Sequence, residues 1–508
     1  ALSRRIDILP RNEGVLVHVA SRKKMIVIGA GLGGLAVAAL LAKRGHAVAL
    51  FEKNDVVGGR CATIMQKGFR FDLGATLFLM HDTFRRTFAE LGERMEDHLD
   101  LIRVDPASAV HFHDGTSIDM TGDMCRLREE TERFEKGSFE KAFSYLRSGY
   151  SCYLDALDSL ISRDFRHWYQ FFTPKNMALF LRVKALSYHY RIVARNFRDE
   201  RLRAAFSYHA LYVGCNPFGA PGMYSMLPAL EMIEGLYYPK GGMVSIADAL
   251  HAIGKKLGVR YHLSAPVDSI MTDGSRAAGV SVQGRTHSAD AVVVNADAPY
   301  AYEHLLGEPL KRRFSLSCSA YTFYWGVNKR LGGIRHQHNV IVSKDYKREL
   351  DTVFNKNSFS EHGHFYANFP SRTDANAAPR GKDSIMVIVP CGHCAGSERD
   401  WKAEQASARS WVLDRLSSFG VPDLKKRIVH ELAFTPKEWE SRMNLTGGAV
   451  FGSLDHSLLQ MGYFRMPNRH PKRRNLFFVG GSIAPGSGLP MVLVGARLTA
   501  DRIADEMG

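Results

Sequence analysis

The sequence predicts an α/β fold. A nucleotide-binding domain is assembled from separated stretches, and a mixed sheet and helical domain is inserted between them. Three observations predict it. A strand–glycine turn–helix–strand unit stands near the start, and a strand–glycine loop–helix junction closes the chain. Between them, α/β texture returns after a long stretch of charged and aromatic residues at helical spacing. The chain has 508 residues, 45% of them hydrophobic and 23% charged, which is ordinary globular composition. Whole-chain disorder and collagen-like assembly are excluded.

The elements follow in order. Residues 25–28 form a short apolar run, read as a buried parallel strand. Gly29 to Gly34 is the turn, residues 35–44 an Ala/Leu-rich helix stopped at Gly45, and residues 47–51 a second strand that runs into Glu52. Amphipathic helices are predicted over 145–160 and 174–197. Glycines and prolines between Gly214 and Pro228 mark a loop-rich break. Residues 245–257 read as a helix, and 259–263, 267–271, 278–282 and 291–295 as strands. Residues 318–327 and 385–389 are further strands, and 401–419 a helix. Residues 475–479 and 492–507 form the closing strand and helix. We therefore assign 23–84, 236–299 and 466–508 to the nucleotide-binding domain, and 85–235 and 300–465 to the inserted domain. Residues 1–22 read as a basic, unstructured leader, with a transit peptide as the alternative.

Lys and Arg number 67 against 52 Asp and Glu, a net charge of +15, which favours anionic partners. Zinc-finger spacing and RNA-binding signatures are not evident, so nucleic acid is not an expected partner. Seven scattered cysteines do not suit a secreted disulfide scaffold. No apolar run reaches the length of a membrane-spanning helix. No metal site is expected.

The chemistry is carried by glycine-rich turns. In Gly29-x-Gly31-x-x-Gly34, Gly29 permits the tight turn, Gly31 lets the backbone approach a pyrophosphate, and Gly34 lets helix pack on strand. Ala30 and Gly33 complete the loop. The helix N-terminus offers free N–H groups to phosphates, and Glu52 can accept from ribose hydroxyls. This is a Rossmann-type unit. Gly58-Gly59-Arg60 adds a second element, with Arg60 placed to reach a phosphate. At the other end, Gly480-Gly481-Ser482 and Gly488-Leu489-Pro490-Met491 put backbone N–H groups near a ring system or ribitol phosphate.

These turns resemble the FAD site shared by amine oxidases, Rab GDP-dissociation inhibitors and carotenoid desaturases. Further motifs narrow the resemblance to bacterial and fungal phytoene desaturases. They are Tyr238-Pro239-Lys240-Gly241-Gly242-Met243, Asn295-Ala296-Asp297, Tyr324-Trp325, Pro370-Ser371-Arg372, Gly381-Lys382-Asp383 and Gln460-Met461-Gly462-Tyr463-Phe464-Arg465. The resemblance covers nearly the whole chain from Lys24. It implies FAD, held by Gly29, Ala30, Gly31, Gly33, Gly34, Glu52, Lys53, Gly59, Arg60, Val267, Gly480, Gly481, Gly488, Pro490 and Met491. It implies hydride transfer from a carotenoid precursor such as phytoene, with quinone or oxygen reoxidising the flavin. Carotenoid isomerases, ketolases and desaturases of other isoprenoids share the scaffold. Amine oxidases and flavin-free lipid carriers are more distant alternatives.

Asp455 and His456 are the candidate catalytic residues. On a strand they would face opposite ways, so one of them is expected at the substrate. Cys391-Gly392-His393-Cys394 matches a thiol–disulfide spacing, but Pro390 stands where a tryptophan is usual there. We read it as part of the desaturase pattern. Trp168-Tyr169-Gln170-Phe171-Phe172, followed by Lys175, Arg182, Lys184, Arg191 and Arg195, reads as a basic amphipathic surface for lipid. A hydrophobic polyene substrate and a peripheral membrane location inside the cell are the corresponding expectations.

Overall fold

The computed structural model describes residues 22–310, 312 and 314–508. The expected leader therefore lies, apart from Arg22, outside the described residues. Strand β1 (Lys24–Ile28), helix α1 (Leu32–Lys43) and strand β2 (Ala47–Phe51) form the opening unit. β1 sits at the centre of a five-stranded parallel sheet. Across the sheet the order is Leu476–Phe478, Ala291–Val294, β1, β2, Arg260–His262. The side chains of β1 alternate between two cores, as a pleated strand dictates. Met25 and Val27 pack with α1, whereas Ile26 and Ile28 pack with Ile270 and Val280 of an antiparallel three-stranded sheet on the opposite face. The C-terminal helix Leu489–Met507 and the helix Val244–Lys256 flank α1.

The second sheet has seven strands. Their order is Ile428–Phe434, Ser319–Val327, Asp383–Cys391, Phe365–Asn368, His338–Ile341, Ser108–His111, Ser117–Met120. All neighbours are antiparallel except His338–Ile341 with Ser108–His111. Alternation again sets the function of each face. Val387 and Val389 join Tyr321, Phe323 and Trp325 against the helix Trp401–Ser418, while Met386, Ile388 and Pro390 face a cavity. Helices Ser138–Ala156 and Met226–Ile233 close that cavity from the other side.

The strands of the five-stranded sheet all fall within 23–84, 236–299 and 466–508, and those of the seven-stranded sheet within 85–235 and 300–465. Two pieces cross over. The hairpin Thr63–Gln66 and Phe69–Asp72 packs on the seven-stranded sheet, where Ser384 donates to the Arg70 carbonyl at 2.6 Å. Leu236–Pro239 pairs with Leu101–Val104.

The long helix expected over 174–197 is two helices, Pro174–Arg182 and His189–Asn196. Tertiary hydrogen bonds override the local pattern. Gly222 N–H donates to Ser187 at 2.7 Å and His189 N–H to Ala220 at 2.8 Å, and Lys184 adopts the left-handed conformation between the two helices. Helix Met226–Ile233 starts inside the expected loop-rich break. Pro228 is tolerated there because it lies in the first turn.

Candidate functional site

One cavity of about 740 Å³ runs from the opening glycine turn to the seven-stranded sheet and on to Ile161 and Met461. Its first part is built by the opening unit. Gly29 has φ +97°, a conformation that favours glycine. The N-terminus of α1 has no side-chain cap and no acid in its first turn, so its N–H groups face the cavity unclaimed. A β-carbon on Gly31 would stand 2.8 Å from Asn295 Nδ2, and one on Gly34 would stand 2.0 Å from the Gly29 carbonyl oxygen. Gly33 is equally constrained, with Asn295 Oδ1 and Val492 Cγ1 at 2.7 and 2.8 Å. Asn295 is thus the floor of the turn. It ends the central strand neighbour of β1, and its part in the resemblance motif was the only sequence sign of it.

Glu52 is buried beside this turn. One carboxylate oxygen accepts from the Ala30 amide at 2.6 Å, and the other accepts from the Asn54 amide and side chain, both at 2.9 Å. Lys53 and Val267 line the cavity next to it. Lys53 Nζ donates to the Arg442 carbonyl at 2.6 Å and to Asn444 at 3.1 Å, and burial lowers its pKa against the pull of Glu52. Gly58 N–H donates to Ala30, which folds Gly59 and Arg60 over the turn. Arg60 donates to the Val450 carbonyl at 2.6 Å and lies against Gly481. Burial lowers its pKa, opposed by Asp297. Arg60 therefore joins the two ends of the chain across the cavity.

The C-terminal helix presents a second uncapped N-terminus, introduced by Gly488 with φ +105°. Gly480, Gly481, Gly488, Pro490 and Met491 all line the cavity. Beneath them lies Arg465. It is buried and donates to the carbonyls of Asp455, Gln460 and Gly481, and its pKa is lowered to about 10 by burial.

The two candidate catalytic residues separate. Neither lies on a strand. His456 lines the cavity, with Nε2 2.9 Å from Ser487 Oγ, and burial followed by the nearby Arg465 charge pushes its pKa well down. Asp455 turns away from the cavity lining. Its carboxylate closes a local turn by accepting from Ser457 at 3.0 and 2.8 Å and also from Gln460. The geometry supplies no contact of Asp455 with the cavity. Cys391 and Cys394 are unpaired and buried, and burial raises both thiol pKa values, that of Cys394 to about 12.

The rest of the wall is mostly apolar or phenolic, with Thr76, Thr322 and His364 among its polar members. Tyr153, Met223, Leu227 and Leu230 line one side, and Thr76, Tyr208, Tyr212 and Tyr366 another. The tyrosines were not singled out by sequence. Tyr153 comes from the helix Ser138–Ala156, Tyr208 and Tyr212 from a 3₁₀ turn and Tyr366 from a sheet strand, with no spacing in common.

The opening turn and its uncapped helix suit the diphosphate of FAD, and Glu52 suits its ribose. The backbone N–H groups at residues 480–491 suit the ring and ribitol end. A β-carbon at Gly31, Gly33 or Gly34 would collide with Asn295, Val492 or the Gly29 carbonyl, so the tight turn needs these glycines, and with the uncapped helix N-terminus the residues present fit this group.

The profile of flavin containing amine oxidoreductases matches residues 32–504. The zeta-carotene-forming phytoene desaturase of Myxococcus xanthus is 41% identical over 95% of this chain and 94% of its own. The phytoene desaturase of Phycomyces blakesleeanus is 36% identical over 96% of this chain and 86% of its own. The 4,4'-diapophytoene desaturase of Staphylococcus haemolyticus is 32% identical over 95% and 98%. Among solved structures, putrescine oxidase superposes with a TM-score of 0.62 at 16% identity, covering 95% of this chain and 98% of its own. An oxidoreductase from Methanosarcina mazei gives 0.61 at 17%, covering 93% and 99%. These two show the shared fold. An FAD cradle joined to an apolar cavity, with relatives this similar along nearly the whole chain, makes this protein a member of the phytoene desaturase family within the flavin containing amine oxidoreductases.

Proposed function

We propose that the protein desaturates a carotenoid precursor of the phytoene type with FAD as its oxidant. The observation that carries this is the single cavity that joins the dinucleotide cradle to a wall of Met, Leu and Tyr side chains. A long hydrocarbon fits such a wall, whereas an amine substrate calls for a polar anchor. Bound FAD supplies the hydride acceptor. The chain's own residues do the rest. Met386 and Ile388 from the sheet, with Leu227 and Leu230 from the facing helix, hold the hydrocarbon and exclude water. Arg60 and Arg465 tie the cradle together through backbone carbonyls.

Exposed apolar side chains support a route for the substrate from lipid. Trp168, Tyr169, Phe172, Leu181, Leu186 and Tyr188 are exposed on the helical segment beside Ile161. Phe171 stacks on Tyr463 at 5.5 Å, close in sequence to the cavity residue Met461. Membrane docking by this segment would deliver a lipid-dissolved substrate to that end of the cavity. Among the described residues no helix is long and apolar enough to cross a membrane. Quinone or oxygen is the proposed electron acceptor.

The test is anaerobic incubation of the FAD-loaded protein with phytoene in anionic liposomes. New long-wavelength polyene bands together with flavin bleaching are expected. Bound flavin that stays oxidised, with unchanged phytoene, would sink the reading.

A further inference from the structure

Two phenols of the cavity wall are each backed by a buried ionisable group. Tyr212 donates to Glu231 at 2.8 Å, and Tyr366 Oη stands 2.5 Å from His338 Nδ1. Both tyrosines line the cavity, while Glu231 and His338 are each only 1% exposed. Tyr366 Oη is also 3.0 Å from Thr76 Oγ1, another wall residue, so the phenol bridges the cavity and the interior. The rings of His338 and Tyr366 stack, and His338 Nε2 has no partner. A buried carboxylate is costly unless it is paired and hydrogen-bonded, and Glu231 has His209, Tyr212 and Ser108 as partners. Nothing in the FAD cradle uses these groups.

We propose that Tyr366, relaying to His338, accepts the proton that desaturation releases. The inference rests on the desaturase reading. Two neighbouring C–H bonds break. One hydrogen leaves with its electron pair, as hydride, to the oxidant FAD. The other C–H bond leaves its electron pair behind as the new C=C π bond. Its proton goes to Tyr366 Oη while Tyr366 passes its own phenolic proton to His338 Nδ1. The phenol is restored and the imidazole becomes imidazolium.

The surroundings suit that transfer. Burial lowers the His338 pKa to about 4, so the ring is neutral and able to accept, and the facing Glu231 carboxylate works in the other direction. Glu231 itself is held ionised. Burial raises its pKa, but His209, Tyr212 and His338 outweigh this and lower it. Ser108 also donates to Glu231, and Tyr208 donates to or accepts from Ser108. Tyr366 is kept protonated by burial, by Asp72 and by Glu231. With so low a pKa the imidazolium returns its proton through Tyr366, its hydrogen-bond partner, to water that enters the cavity once product has left.

The experiment is single-turnover bleaching of the FAD-loaded protein by phytoene in liposomes, without oxygen, in H₂O and in D₂O. Tyr366→Phe is expected to bleach about 100-fold more slowly with little change in the half-saturating phytoene concentration. The wild type should show a normal solvent isotope effect, and the variant none. His338→Asn keeps an acceptor but loses basicity, so it should be slow as well. A readout without turnover is the ring ¹⁵N spectrum, in which His338 should stay neutral down to about pH 4 and shift in Tyr366→Phe. The flavin spectrum reports folding of each variant. If wild-type flavin does not bleach, the desaturase reading fails. If it bleaches but Tyr366→Phe matches it, or no solvent isotope effect is seen, the relay alone is overturned.

Discussion

The Glu52 carboxylate accepts the Ala30 amide at 2.6 Å, which locks the end of β2 to the opening glycine turn. Its other oxygen holds Asn54 twice. A carboxylate bound this way orders the cradle before any ribose arrives. Hydrogen bonds to a charged group are worth about 1.5–3 kcal/mol, so Glu52→Ala should weaken FAD binding roughly 10- to 100-fold. Quenching of flavin fluorescence on titration measures this. Unchanged affinity would show that the turn is ordered without Glu52.

Gly34 and Gly45 give a matched contrast. A β-carbon at Gly34 would meet the Gly29 carbonyl oxygen at 2.0 Å, so β1 and α1 must part. Gly34→Ala is expected to purify without FAD. Gly45 has φ +93° but open space around it, so Gly45→Ala should cost only about 1–2 kcal/mol and keep the flavin. Flavin content per chain and thermal melting separate the two outcomes.

The motifs behind the resemblance turn out to be mostly scaffold. Tyr238 donates to Asp72 at 2.7 Å, Met243 N–H to the same carboxylate at 2.9 Å, and Gly241 N–H to Asp374 at 2.9 Å. Arg372 and Ser371 both donate to Asp383, so two separate motifs are halves of one buried ion pair. Asn295 is the floor of the turn. The opening unit was legible because strand, glycine turn and helix are local and each residue type has one use there. The 174–197 break and the Asp455 turn were not, because both are set by partners distant in the fold or by a local carboxylate turn that periodicity does not register. The Tyr366–His338 pair joins adjacent strands with no motif to mark it.

Acid should loosen the fold before the carboxylates titrate. Burial lowers the pKa of His189 to about 3 and of His338 and His364 to about 4, against 6.5 for the unperturbed ring. The unfolded chain therefore binds more protons between those values. This contribution to stability is complete above pH 6.5 and is lost as pH falls through the folded pKa values. Each ring adds a slope of up to about 1.4 kcal/mol per pH unit in that window. His364 Nδ1 accepts from the Ser343 amide at 3.0 Å, an arrangement that asparagine preserves. His364→Asn should melt with a shallower dependence on pH between 6.5 and 5. An identical slope would show that His364 titrates normally in the fold.

The exposed apolar residues of the helical segment test membrane docking. Leu181 and Leu186 are 68% and 70% exposed, and they lie among Lys175, Arg182, Lys184 and Arg191. Side chains this open in water contribute little to folding. Insertion of one such leucine into lipid is worth about 1.5–3 kcal/mol, so replacing both by serine should weaken vesicle binding by at least roughly 100-fold. The basic neighbours add attraction to anionic lipid that salt screens. Flotation of the FAD-loaded protein with anionic vesicles measures both effects. The double variant should stay in the soluble fraction with its flavin intact, and the wild type should be released in part by rising salt. Co-flotation of the double variant with wild-type efficiency would place docking on another surface. Substrate would then have to enter the cavity elsewhere than beside Ile161 and Met461.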